Sequence, residues 1–188
     1  MSDLMRYAAA LKDAAEGRGV PPVERWNPPY CGELDLVIRR DGLWVHAGTP
    51  IGRAPLVRLF STVLRKDGER YYLVTPVEKL GVKVEDAPFL AVLMRKDADA
   101  LVFTTNVGDE IAAGPDHALV FRETAVKGEM APYIHVRAEL WALVARAVFY
   151  ELVALGETRE SGGKTMFGVA SAGVFFPFGL AARVYDES

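Results

Sequence analysis

Alternating apolar and polar residues predict a chain built mainly from short β-strands. The clearest case is "LDLVIRRDGLWVHAG", in which two apolar-rich runs flank Asp41 and Gly42, a dipeptide typical of tight hairpins. Strand-like runs bounded by turn residues recur along the rest of the chain. They are "ERYYLVTP", "PFLAVLMRKDADALVFTTN", "DEIAA", "HALVFRE", "YIHV" and "TMFGVASAGVFFPFG". Combined with the helical segments described next, they predict an α+β fold.

Two internal segments have the helical period. Over residues 54–65, Leu56 and Leu59 fall on one face of a predicted helix and Arg65 falls on the opposite, polar face. Residues 138–155 are apolar around most of the circumference that a helix would have. This second segment therefore predicts a buried helix at the centre of a core.

The start of the chain predicts a short peripheral helix over residues 1–17. Ser2 or Asp3 can cap it, and Gly17 ends it. Its thin apolar stripe consists of Leu4, Ala8, Leu11 and Ala15. The segment "RGVPPVERWNPPYCG" follows, and its four prolines predict an irregular arm.

Two stretches resemble each other within the chain. Residues 36–48 and 101–114 both run from Leu-Val through a Gly-containing turn to Ala-Gly, and each precedes a predicted helix. His46 and His135 end the similar triplets "WVH" and "YIH". This pattern predicts a duplication of a hairpin-plus-helix unit.

Composition is that of a soluble globular protein. The 188 residues are 51% hydrophobic and 25% charged, which is enough apolar material to fill a core. A single cysteine, Cys31, excludes an internal disulfide framework and fits a reducing compartment. The apolar run at residues 166–182 holds three Gly and one Pro, which suits buried strands better than a membrane span. We expect a cytoplasmic protein without membrane insertion.

Charge is unevenly distributed between the halves. Residues 18–96 carry 13 Lys and Arg against 9 Asp and Glu, whereas residues 97–188 carry 7 against 13. A basic first half can face the acidic second half or an anionic partner, and scattered solvated charge explains the same numbers.

Motifs for several chemistries are missing. "SGGKT" at 161–165 resembles the end of a phosphate-binding loop, but the motif requires Gly where this chain has Thr158, and a strand follows where a helix is needed. The three histidines are far apart in sequence, and HExxH and Gly-x-Ser-x-Gly are absent. The sequence predicts no cofactor, no metal site and no assigned catalytic residue.

The stretch "WVHAGTPIGR", residues 44–53, is read chiefly as a corner between a strand and a helix. Arg53 stands beside the predicted helix N-terminus, where a guanidinium and free amides can bind a carboxylate or phosphate. Pairing of Arg53 with an acidic side chain of its own fold is the alternative.

The same region resembles a known family. The segments "HAGTPIGRAPLVRLFSTVLRKDG", "YYLVTPVEK" and "VEDAPF", with a weaker match at "SAGVFFPFG", are similar to the uncharacterised bacterial domain of unknown function 1285 family. The matching residues are Gly48, Pro50, Ile51, Arg53, Leu56, Val57, Leu59, Phe60, Tyr72, Pro76, Glu78, Asp86, Pro88 and Phe89.

The resemblance implies a fold and little chemistry. It implies a duplicated α+β core whose C-terminal half is pleckstrin-homology-like, a curved antiparallel sheet closed by one helix. It also implies a role in signal transduction, with a protein or nucleic-acid ligand at the interface of the two units. With the peripheral helix at 1–17, the expected division is an α+β unit at 18–88 and a pleckstrin-homology-like unit at 89–188.

These observations predict a non-enzymatic binding module of unknown oligomeric state. The residues expected to bind a ligand or partner are Arg39, Arg40, His46, Arg53, Arg58, Glu78 and Asp86. The alternative is a small-molecule enzyme in which His46 forms an acid–base pair with Glu78 or Asp86. A third possibility is a single-stranded nucleic-acid binder, which needs the four arginines on one exposed face.

Overall fold

The computed structural model describes residues 3–14 and 19–181 and is mostly β-sheet. Contacts divide the chain into two units, Met1–Glu85 and Asp86–Ser188. In the described residues the fold contains three α-helices and two six-stranded curled sheets in two similar halves. The expected α+β class is thus confirmed, with the sheet dominant.

The first unit contains two α-helices, a short 3₁₀ turn (Val23–Arg25) and one six-stranded sheet. Its elements are α1 (Asp3–Ala14), β1 (Tyr30–Ile38), β2 (Trp44–His46), β3 (Thr49–Pro50), α2 (Ala54–Thr62), β4 (Leu64–Asp67), β5 (Arg70–Val74) and β6 (Lys79–Val84).

The strand order in this sheet is β3-β2-β1-β6-β5-β4. Neighbouring strands are antiparallel except for the central pair, β1 and β6, which run parallel. The hairpin predicted at Asp41 and Gly42 connects β1 to β2, and Gly42 adopts a positive φ of 84° there. Leu36 and Ile38 alternate with more exposed neighbours, and both are fully buried.

The helix α1 packs through its buried face. Ala8 and Leu11 of the predicted stripe are buried, and the buried Tyr7 ring lies 6.3 Å from the Phe60 ring of α2. Ser2, Ala15 and Gly17, which were expected to cap, continue and end the helix, lie outside the described residues.

The helix predicted over residues 54–65 is shorter than expected. It ends at Thr62, and the following residues form strand β4. Arg65 therefore belongs to a strand and is buried, not placed on the polar face of a helix. Over only three or four residues, the sequence pattern of a helix cannot be told from that of a strand. The pairing of β4 with β5 decides that the residues after Thr62 form a strand.

The second unit contains a six-stranded sheet, one α-helix and a three-stranded sheet. Its elements are β7 (Phe89–Asp97), β8 (Ala100–Thr105), β9 (Glu110–Ala112), β10 (Leu119–Glu123), β11 (Met130–Arg137), β12 (Leu140–Val144), α3 (Arg146–Ala154), β13 (Glu157–Ser161), β14 (Lys164–Ser171) and β15 (Val174–Leu180).

The two six-stranded sheets share one topology. The order β10-β11-β12-β7-β8-β9, read from its other end, matches β3-β2-β1-β6-β5-β4 strand for strand. The central pair β7 and β12 is parallel, as β1 and β6 are, and the other neighbours are antiparallel. The predicted duplication is confirmed at the level of strand order and direction.

The repeat is aligned differently from the sequence expectation. Residues 36–48 form part of β1 and β2, whose topological equivalents are β7 and β8. Residues 101–114, which resemble them, instead contain β8 and β9. His46 lies in β2 and His135 in β11, so these two histidines are not equivalent. Short hairpins share a local pattern, and only the sheet order reveals which ones correspond.

The helix predicted over residues 138–155 is wrong in its first half. Leu140–Val144 form strand β12, and α3 spans only Arg146–Ala154. Ala145 has an extended ψ of 147° that separates the two elements. Because β12 pairs on both sides and four of its five residues are buried, it is apolar throughout and resembles a buried helix in sequence.

Two further tight turns connect strands in the second unit. Ala98 occupies the tight turn between β7 and β8, with a positive φ of 52°. Gly162 and Gly163 have φ of 58° and 75° in the β13–β14 hairpin, so "SGGKT" is a turn between two strands.

No helix among the described residues is long and apolar enough to span a membrane. The pleckstrin-homology likeness and closure by one helix stay predictions.

Candidate functional site

The stretch "WVHAGTPIGR" forms a second hairpin before it reaches the helix. After β2, Ala47 and Gly48 form a two-residue turn with φ of 47° and 75°, and β3 returns along β2. Gly52 and Arg53 then lead into α2. The stretch is therefore a corner with one more reversal than expected, and it places Arg53 at the N-cap of α2.

A groove lies between α1 and the N-terminal end of α2. Its volume is about 470 Å³. Two walls form it, one from each helix, with Gly52 and Arg53 continuing the α2 wall. Its lining residues are Met5, Ala8, Ala9, Gly52, Arg53, Ala54, Pro55, Leu56 and Leu59. The buried contact between Tyr7 and Phe60 holds the two helices together, and burial raises the pKa of the Tyr7 phenol.

Among the lining residues whose side chains the structure describes, Arg53 is the charged one and the others are apolar. It is exposed, and no ion pair joins it to another of the described residues. Its backbone carbonyl accepts hydrogen bonds from the amides of Leu56 at 3.0 Å and Val57 at 3.2 Å. The first turn of α2 contains no acidic residue. The groove is thus apolar with one positive charge.

The other predicted arginines lie elsewhere in the first unit. Arg39 and Arg40 are in the β1–β2 turn, where Arg39 pairs with Asp41 at 3.2 Å and the Arg40 amide donates to Glu85 at 3.0 Å. Arg58 is exposed on α2. It lies within the helix, five residues after the extended N-cap residue Arg53, and is outside the groove lining. Arg53 is the only member of the predicted set in the groove lining.

His46 and Glu78 lie on neighbouring segments, beside opposite ends of strand β1. His46 pairs with Leu36 in the second half of this strand, whereas Lys79, next to Glu78, pairs with Tyr30 at its start. Six residues separate those positions along β1, a distance of about 20 Å. Glu78 instead closes a turn in which its amide donates to the Thr75 hydroxyl at 3.0 Å. This geometry does not provide the predicted acid–base pair of these two residues.

Asp86 belongs to the second unit and is part of its internal packing. Its carboxylate accepts a hydrogen bond from the Tyr133 hydroxyl at 2.6 Å and from the Ala125 amide at 3.3 Å. Tyr133 is buried in a small cluster with Ala87 and Leu143. These contacts give Asp86 a structural role in positioning the chain before β7.

Sequence reasoning missed a polar centre at Arg65. This buried guanidinium donates to the carbonyls of Val23 at 2.8 Å and Trp26 at 2.7 Å, and it pairs with Asp67 at 2.8 Å. Lys79 also pairs with Asp67, at 3.3 Å. Partial burial opposes ionisation of Asp67, but the hydrogen bonds and charges of Arg65 and Lys79 outweigh it and lower the Asp67 pKa. Because nothing local in the sequence indicates that Arg65 is buried, only its contacts reveal this role.

A second missed cluster covers the start of β1. Glu33 accepts hydrogen bonds from the Tyr30 hydroxyl and from Arg70, and the hydrogen bond to Glu33 raises the Tyr30 pKa. The Arg70 guanidinium lies 5.4 Å from the Tyr72 ring centre. Glu33 reaches this position because Gly81, its partner on β6, has no side chain to occupy the same space. The cluster is satisfied internally and has the character of a structural network.

Histidines of the second unit are also engaged. The His135 ring lies 5.0 Å from the Trp141 ring, and its Nε2 contacts the carbonyl of Ala138 at 2.7 Å. His117 contacts the carbonyl of His135 at 3.0 Å through Nδ1. Among the residues that the structure describes, no group of three or more His, Cys, Asp and Glu side chains could hold a metal ion.

Fold and groove together define the class: a two-unit, mostly-sheet α+β protein with a groove of small-molecule size. Family comparison matches "Domain of unknown function (DUF1285), N-terminal domain" over residues 21–87 and "Protein of unknown function (DUF1285), C-terminal domain" over residues 88–178. The chain belongs to the DUF1285 family. This confirms the resemblance seen in its sequence.

Two solved structures of the same family are similar to this chain. A DUF1285 family protein from Silicibacter pomeroyi DSS-3 is 43% identical, with a TM-score of 0.86 over 98% of this chain and 99% of that one. A DUF1285 family protein from Shewanella baltica OS155 is 28% identical, with a TM-score of 0.52 over 64% of this chain and 91% of that one. No curated protein matches the sequence.

Proposed function

We propose that this protein is a non-catalytic binding module whose ligand occupies the groove between α1 and α2. The observation that carries the proposal is the groove itself, with a volume of about 470 Å³ and an apolar lining interrupted by Arg53. Pockets for small molecules are typically about 300–1,000 Å³, apolar, and supplied with a few polar groups that orient the ligand. The ligand expected here is a small molecule.

The binding role agrees with the signalling role that the family resemblance implies, because a module that binds without reacting can act as a sensor. A protein or nucleic-acid ligand is less well supported than a small one. A single-stranded nucleic acid needs a continuous basic track. Arg58 lies outside the groove lining that contains Arg53, and Arg39 is paired with Asp41.

The enzyme alternative loses one of its two proposed pairs, that of His46 with Glu78. Acid–base catalysis needs two groups within hydrogen-bond reach of one substrate. His46 and Glu78 are separated by about 20 Å of strand β1. The geometry of these residues therefore favours binding over catalysis.

Fluorescence of a neutral apolar probe, N-phenyl-1-naphthylamine, tests the proposal on the full chain. We expect saturable enhancement with the wild-type protein. Ala9→Trp and Ala54→Phe should weaken it strongly, because each replaces an exposed alanine on one wall with a bulky side chain that takes up part of the groove. Ala147→Trp is the matched control, since Ala147 is an exposed helical alanine on α3.

Circular dichroism and thermal unfolding should show that the three variants keep the wild-type fold. Absence of probe binding to the wild-type protein would overturn the proposal. Equal binding by wild-type, Ala9→Trp and Ala54→Phe proteins would overturn it as well, because the probe would then occupy another surface.

A further inference from the structure

The structure assigns a ligand class to the groove: a single-chain organic carboxylate, with its tail on the apolar walls and its head on Arg53. This inference rests on the proposed function and names the ligand of the same site. Three properties of the groove lead to it: its volume, the apolar character of its described lining apart from Arg53, and the positive charge at the start of α2, which no described acidic residue pairs with.

Volume limits the ligand to one chain of moderate length. The groove holds about 470 Å³. At about 30 Å³ for each water-sized group, this is space for about sixteen non-hydrogen atoms. A carboxylate with about eight to twelve carbons fits inside, whereas a two-chain phospholipid or a folded peptide segment would extend well outside the groove.

The walls require an apolar tail. Met5 and Ala8 of α1 face Leu56 and Leu59 of α2 in the lining, and none of these side chains donates or accepts a strong hydrogen bond. A polar ligand body would lose its bound water there without replacement, which is unfavourable. Methionine also adapts its shape to a flexible chain. An alkyl tail is therefore the matching partner.

Arg53 requires a negative head. Of the lining residues that the structure describes it is the charged one, and the ion pairs of the described residues leave its guanidinium without an acidic partner. Arg53 also stands at the N-cap of the nine-residue helix α2, where the positive end of the helix dipole adds to its charge. Guanidinium binds a carboxylate through two parallel hydrogen bonds, so a planar carboxylate is the best match.

Displacement of the neutral probe by octanoate and by 1-octanol tests this assignment. The two ligands have the same tail and differ in the head group. We expect octanoate to displace the probe from the wild-type protein at lower concentration than octanol. Arg53→Gln should weaken the affinity for octanoate about ten- to one-hundred-fold, the range for loss of a charge-assisted hydrogen bond. The affinity for octanol should stay within about twofold of the wild-type value.

Two further variants sharpen the comparison. Arg53→Lys keeps the charge but loses the fork of donors, so its octanoate affinity should lie between those of wild-type and Arg53→Gln proteins. Arg25→Gln is the matched control, because Arg25 is exposed in the same unit and outside the groove lining. Its affinity for octanoate should equal that of the wild type.

The outcomes separate the two proposals. If the probe binds but octanoate and octanol displace it equally, and Arg53→Gln changes neither, the carboxylate assignment is overturned while the binding groove stands. If Arg25→Gln weakens octanoate binding as much as Arg53→Gln does, the preference for octanoate over octanol comes from general surface charge. The assignment of the carboxylate to Arg53 is then overturned. If the probe does not bind the wild-type protein, both proposals fail.

Discussion

Arg65 joins two parts of the first unit, the proline-rich arm and strand β4, that are about 40 residues apart in sequence. Its guanidinium reaches the carbonyls of Val23 and Trp26 in the proline-rich arm and the carboxylate of Asp67 on its own strand. Because proline has no N–H, the arm has few backbone donors of its own for its carbonyl groups. Arg65 supplies donors for the arm's carbonyls and thereby fixes it against β4.

Arg65→Lys should lower the free energy of unfolding by about 1–3 kcal/mol, measured by urea denaturation. A lysine ammonium cannot reach two carbonyls and a carboxylate in the fork geometry of arginine, so buried acceptors lose their donors. Arg95→Lys is the control, since Arg95 is an exposed residue paired with Asp97 at 2.7 Å, and it should change stability by less than about 1 kcal/mol. Equal effects of the two substitutions would contradict the proposed role of Arg65.

The turn at Asp41 and Gly42 was predictable because its backbone requirement is local, whereas the positive φ of Ala47 and Ala98 was not. Gly42 has a positive φ in the β1–β2 hairpin, and Gly162 and Gly163 have the same property in the β13–β14 hairpin. Arg53 was also singled out from its place before a predicted helix, and it lines the groove. Burial of Arg65 was not predictable, because its carbonyl partners are about 40 residues away in sequence.

The hairpin of β14 and β15 contains a close backbone approach that only glycine permits. The register shifts between Phe167 and Gly168, so that Phe178 becomes the additional residue of β15. The Phe178 ring packs 5.6 Å from Phe121 and 6.2 Å from Phe149. A Cβ on Gly168 would overlap the opposite strand and lie 2.8 Å from the Pro177 Cα atom. This element therefore combines a bulge, an aromatic cluster and one required glycine.

Gly168→Ala should destabilise the protein by about 3 kcal/mol, because the neighbour that must move is backbone and not a flexible side chain. Gly179→Ala in the same hairpin is the matched control, since a Cβ there meets nothing within 4 Å. The free energy of unfolding of the control should change by less than about 1 kcal/mol. A Gly168→Ala protein as stable as the control would show that the strands can separate at no cost.

The two halves of the whole molecule repeat one sheet plan. Each has a parallel central pair, β1 with β6 and β7 with β12, and each has an antiparallel hairpin on either side of that pair. Central strands are hydrogen-bonded along both edges, and β12 is buried over four of its five residues. In contrast, both residues of edge strand β3 are exposed.

Hydrogen–deuterium exchange should show the same order of protection in both units. Amides of the four central strands should exchange at least about 100-fold more slowly than those of edge strands β3 and β9, because opening a central strand breaks two ladders and exposes core residues. Rapid exchange in β12 would contradict its assignment as a central strand. Slow exchange in one unit alone would contradict the equivalence of the two sheets.

By itself the sequence determined most of the turns and strands, the α+β class and the family, and it indicated a repeat whose alignment it placed wrongly. These depend on residues that are close along the chain, where side-chain alternation and backbone preference act. Tertiary structure alone decided that residues 140–144 form a strand, that β1 pairs in parallel with β6, and that α1 and α2 enclose a groove around Arg53. An apolar run can be buried as a helix or a strand, and the available hydrogen-bonding partners select one of the two. Grooves likewise form only where distant helices pack, so their position is absent from any local pattern.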